Sequence, residues 1–109
     1  MALKASQLSR DILVAFKGVL SDRWPDIRDY GDVEAKKLAQ TLVMIEALIV
    51  SGKINEEQAR LHLDIQRNAT RMVLLTLEGL GILAVEEAIN AALAVVRDTI
   101  NTSLGFDLI

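Results

Sequence analysis

The sequence contains no cysteine, which excludes disulfides and thiol chemistry. It has one proline and six glycines among 109 residues, too few turn formers for a sandwich or barrel of many short strands. Aromatic residues make up only 4%. A positive charge excess is also missing: 12 Lys and Arg stand against 15 Asp and Glu, for a net charge of −3. That balance argues against binding driven by phosphate neutralisation and against docking on an anionic membrane surface. Neither nucleic acid nor membrane is therefore expected as a partner. Long apolar runs are absent too; the longest cover residues 91–96 and 12–16. The apolar stretch 72–96 carries Glu78, Glu86 and Glu87, which disfavour insertion into a bilayer. Residues 1–7 lack the apolar segment of a secretory leader, and a cytoplasmic protein is expected.

What the chain does have is Leu, Ala, Ile and Val, the bulk of its 51% apolar content. Leu and Ala favour helices, and the length suits one domain, residues 1–109. Apolar residues recur at helical spacing in four blocks. The expected fold is all-α and four-helix bundle-like, built of antiparallel helix hairpins, with helices at about 3–20, 32–51, 55–78 and 82–102 and an apolar tail, 103–109.

The first helix places Ala5, Leu8, Ile12, Ala15, Phe16 and Val19 on one face and must end before Trp24-Pro25, because the residue before a proline avoids the helical region. Residues 21–31 read as the longest connection, with Trp24 packed over one end of the bundle; a ligand-facing Trp24–Tyr30 pair is the alternative. Asp32 is a candidate N-cap for the second helix and Gly52 a candidate C-terminal stop. Asn55-Glu56-Glu57-Gln58 has the form of a capping box. In the third helix Leu61, Ile65, Ala69, Met72, Val73 and Leu80 form the expected inner face, and Arg60, Asp64, Arg67 and Arg71 a solvated one. Gly79-Leu80-Gly81 reads as a break, with a kinked continuous helix as the alternative.

The fourth helix is apolar over more than half its circumference: Ala84, Val85, Ala88, Ile89, Ala91, Ala92, Leu93, Val95, Val96 and Ile100 leave only a narrow polar strip. Such a helix is either central or shared between subunits. Together with the tail residues Leu104, Phe106, Leu108 and Ile109 it is the expected interface of a homodimer or larger oligomer.

Three residues are candidates for chemistry. Glu46 falls among Ala39, Leu42, Ile49 and Val50 on the apolar face of the second helix. A buried carboxylate must be protonated, paired or reached by water. His62, the only histidine, lies on the apolar side of the third helix with Gln58 four residues before it. Folding the two helices back on each other makes a Glu46–His62 or Glu46–Gln58 contact geometrically reasonable, as a structural pair or as the polar groups of a binding site. Three residues before His62 stands Ala59, so the Glu-x-x-His pair of di-iron bundles is missing. No serine is tied to His62 by spacing, and Gly79 and Gly81 lack the context of a phosphate loop. No catalytic residue, metal or cofactor is expected. The leading reading is a non-enzymatic helical interaction or structural protein that self-associates through apolar helix faces and engages another protein. The alternative is a small-molecule-binding bundle with an aliphatic pocket whose polar groups are Glu46, His62 and Gln58.

Overall fold

The computed structural model describes residues 3–77 and 79–109. They form four α-helices and no strand: α1 (Ala5–Val19), α2 (Trp24–Val50), α3 (Glu56–Leu75) and α4 (Ile82–Leu104). The long dimension of the molecule is 42 Å. It is set by α2, whose 27 residues extend about 40 Å at 1.5 Å per residue. The most extensive pairings join α1 to α2 and α1 to α4, α3 packs along α2, and the α3–α4 contact is much sparser. The core comprises Ile12 and Phe16 from α1, Leu38, Leu42 and Ile45 from α2, Leu74 from α3, and Ile89, Leu93 and Ile100 from α4.

Helix α2 begins at Trp24 rather than at Asp32. A single 3₁₀ turn, Ser21–Arg23, links it to α1. Pro25 occupies the first turn of α2, where a missing N–H costs nothing and the fixed φ already suits a helix. The proline therefore ends α1 only indirectly, by opening the next helix. Asp32 is mid-helix and pairs with Lys36 at 3.1 Å instead of capping. Trp24 is buried while Tyr30 is exposed, so the two aromatics do not act as a pair. The indole of Trp24 lies against Gly31, two turns further on along the same helix face. A Cβ at Gly31 would stand 2.8 Å from Trp24 Cη2.

The capping box at α3 forms as its residues predict. Gln58 N–H donates to Asn55 Oδ1 at 2.8 Å, and Asn55 N–H donates to Gln58 Oε1 at 3.0 Å. At the other end α3 stops at Leu75; the expected limit at residue 78 lies outside the described residues. Gly79 adopts φ +88°, and the Arg23 guanidinium fills the space a side chain would take there. A new helix starts at Ile82, so the glycines break the chain rather than kink it.

Helix α4 packs chiefly against α1. Val85, Ala88, Ile89, Ala92, Leu93, Val96 and Ile100 are all buried within the chain, while Val95 points outward. The tail turns back at Gly105, φ +81°, and docks on its own bundle. Asn101 Oδ1 accepts from the Leu108 and Ile109 N–H groups at 2.9 and 3.2 Å. Arg60 donates to the Asp107 carbonyl at 3.1 Å and lies over the Phe106 ring. The apolar surface of α4 and the tail, expected between subunits, is thus largely spent inside one chain.

Two glycine substitutions separate helix propensity from packing. Gly18, near the end of α1, has open space around it, so Gly18→Ala raises stability by up to about 1 kcal/mol. Gly31→Ala carries the same propensity gain but drives a Cβ into a buried indole, and lowers stability by about 1–2 kcal/mol net. Thermal unfolding checks both signs. Trp24, the only tryptophan, reports the displacement as a red-shifted emission in Gly31→Ala alone.

Candidate functional site

Glu46 is 1% exposed and faces the start of α1 and the end of α4. Its carboxylate accepts from the Leu3 N–H at 3.3 and 3.4 Å and from the Ser103 hydroxyl. It therefore joins three chain segments, and its polar atoms are engaged away from α3. Gln58 and His62 do come together. With Ile54, Leu61 and Ile65 they line a shallow groove of about 170 Å³ along α3, below the ~300 Å³ at which small-molecule pockets begin. Gln58 already serves the capping box, and His62 is half-buried at the groove. Of the three predicted site residues, two share a groove and the third sits on another side of the bundle.

The decisive feature is the rotation of α3 about its axis. The residues it buries are Ala59, Leu63, Thr70 and Leu74, with Gln66 beside them donating to Thr70 Oγ1 at 3.1 Å and accepting from Thr41 of α2 at 3.4 Å. The expected inner face is largely turned to water: Leu61 is 56% exposed, Ile65 68% and Met72 69%, with Ala69 exposed as well and Val73 half-buried. At 100° per residue the first three fall within about 40° of arc. They make one straight apolar stripe opposite the core.

The arginine face is exposed at Arg60 and Asp64 but half-buried at Arg67 and Arg71. Arg71 forms a bidentate pair with Glu86 of α4 and also bonds Asn68. Arg67 is half-buried on the same flank, and Arg60 holds the tail. Long arginine stems cover apolar surface while their heads find acceptors, which suits them to the sparse α3–α4 seam. The Arg71 hydrogen bond, with its charge in support, holds the Glu86 carboxyl below the usual range, and Glu86 in turn raises the guanidinium pKa.

Glu34 was not singled out from the sequence, yet it is 2% exposed. Lys37 pairs with its Oε2 at 3.2 Å, while Oε1 has no hydrogen-bond partner among the described residues. Glu34 stands four residues before Leu38 and so shares its buried face of α2. A larger groove, about 370 Å³, runs between α1 and α2 past Ser6, Ser9, Arg10, Asp32, Lys36 and Gln40. Among the described residues no group of three or more His, Asp or Glu is placed to hold a metal ion, and no helix is long and apolar enough to cross a membrane.

No family model matches this chain, and no curated protein or solved structure matches it significantly. The functional reading therefore rests on the geometry above.

Two predictions follow from these side chains. Glu46→Leu removes the acceptor for the buried Leu3 N–H and for Ser103, and costs about 1–3 kcal/mol. Because Glu46 and His62 share no partner, Glu46→Leu and His62→Leu are additive in a double-mutant cycle to within about 0.5 kcal/mol; a larger coupling measured by chemical denaturation would contradict the placement of Glu46. For Glu86, a depressed folded-state pKa means that its contribution is complete above the ordinary Glu value of about 4.3 and is lost as pH falls through the depressed value. The stability gap between wild type and Glu86→Gln is therefore constant near neutrality and closes on acidification below about pH 4, read from denaturant midpoints across that range.

Proposed function

We propose that this chain is a non-enzymatic helical interaction protein that self-associates, and that the surface it uses is the outward stripe of α3. The observation that carries this reading is the outward face of α3: three large aliphatic side chains face solvent in line, while Ala59, Leu63, Thr70 and Leu74 face the core with Gln66 at its edge. Scattered exposed apolar residues are ordinary, but a contiguous stripe marks an interaction surface. Hydrophobic side chains at i, i+4 and i+11 on a straight helix are the anchors of helix-on-helix recognition. The role proposed for α3 replaces the one expected of α4 and the tail, whose apolar side chains are consumed in the chain's own core. A cytoplasmic setting suits such a protein.

The test is mass in solution as a function of concentration. Wild type forms a species larger than the monomer in the micromolar range by light scattering or sedimentation. Ile65→Glu places a charge in the centre of the stripe and weakens association at least tenfold, while changing stability by only about 0.5 kcal/mol, as exposed substitutions do. Val96→Glu is the contrasting control: Val96 is 1% exposed within the chain, so a charge there unfolds the protein instead of dissociating it. A wild-type monomer mass at every concentration would overturn the proposal.

A further inference from the structure

We infer that the partner of the α3 stripe is the α3 of a second copy, laid antiparallel across a two-fold axis near residues 66–67. The inference rests on the self-association reading and adds its geometry. A two-fold interface needs a surface complementary to itself, and α3 has that property in charge and in shape.

In charge, the helix is split. Residues 56–64 hold Glu56, Glu57 and Asp64 against Arg60, a net of −2, whereas residues 65–75 hold Arg67 and Arg71 with no acid, a net of +2. Glu86 of α4 offsets part of the second half through Arg71, without reversing its sign. Of these charges Glu57, Asp64 and Arg71 flank the stripe, and an antiparallel pairing brings the acidic flank of each copy toward Arg71 of the other and opposes the helix dipoles favourably. A parallel pairing puts like against like along the whole helix.

In shape, the stripe reads the same from either end. Antiparallel pairing about that axis sets Leu61 opposite Met72 of the second copy, and Met72 opposite Leu61. At the centre Ile65 of each copy meets the exposed Asn68 and small Ala69 of the other, so a large side chain enters the space smaller ones leave. Asp64 falls within about half a turn of the second copy's Arg71 on the same flank. One helix face supplies less than the ~800 Å² per partner of a stable interface, so the dimer is reversible and concentration-dependent.

The absence of native cysteine allows a direct test on the full chain. Leu61→Cys and Met72→Cys are made as separate single variants at exposed positions, each checked for helix content, then mixed and oxidised. A disulfide needs Cα atoms about 4.4–6.8 Å apart. In the antiparallel dimer the two copies of residue 61 are separated by about eleven residues of rise, roughly 16 Å. The expected result is a mixed 61–72 cross-link at least tenfold over 61–61 or 72–72, identified by mass spectrometry. Predominant like-to-like cross-links, or a dimer mass with no cross-link through α3, would overturn the antiparallel pairing and leave self-association standing. A monomer at all concentrations would overturn both.

Discussion

Packing of α1 against both α2 and α4 is the constraint from which the remaining arrangement follows. Seven α4 side chains from Val85 to Ile100 are buried in this core, opposite Ile12 and Phe16 of α1 and Leu38 and Leu42 of α2. Each large aliphatic side chain removed from water contributes about 1.5–3 kcal/mol, so this three-helix contact dominates the favourable side of folding. Its position determines where the chain ends can go. The α4 C-terminus brings Ser103 to Glu46, Glu46 in turn takes the Leu3 N–H, and the tail folds back through Asn101. A carboxylate that looks misplaced on an apolar face is thereby the acceptor that ties both ends of the chain to the middle of α2.

The third helix answers to weaker forces. It meets α2 through Ala59, Leu63, Thr70 and Leu74 and meets α4 mainly through the Arg71–Glu86 pair. Buried polar groups require partners, and Thr41, Gln66 and Thr70 supply them to one another only in this rotation. Arg60 over Phe106 and Arg71 on Glu86 hold the same rotation from the other flank. These four modest directional contacts, with burial of Leu63 and Leu74, thus outweigh burial of Leu61, Ile65 and Met72 inside one chain. The unspent hydrophobic surface is what gives the molecule a sticky face. A second copy laid on it would recover the burial without disturbing the polar seam beneath.

Much of the architecture was legible because it depends on local chemistry. Helix content followed from composition, the α3 start from Asn55 and Gln58, the break from Gly79 and Gly81, and the extensive burial of α4 from its breadth of apolar surface. Less was legible where one residue type supports two structures. Trp24-Pro25 marks a helix boundary in either direction; the boundary proved to be the start of α2, so residues 24–31, read as connection, are helix. Asp32 had the chemistry of a cap but pairs with Lys36 within a helix already under way.

The sequence by itself determined that this chain is helical, roughly where its helices lie, and that Glu46 sits on a buried face. Only the tertiary structure decided which acceptors and donors meet Glu46, that His62 and Gln58 share a groove without it, and which side of α3 faces inward. The physical reason is the same in each case. Periodicity records how apolar a face is, and α3 carries two candidate faces, Leu61–Ile65–Met72 and Ala59–Leu63–Leu74. Choosing between them takes hydrogen-bond and ion-pair partners from α2, α4 and the tail, which are distant in sequence and adjacent only once the chain has folded.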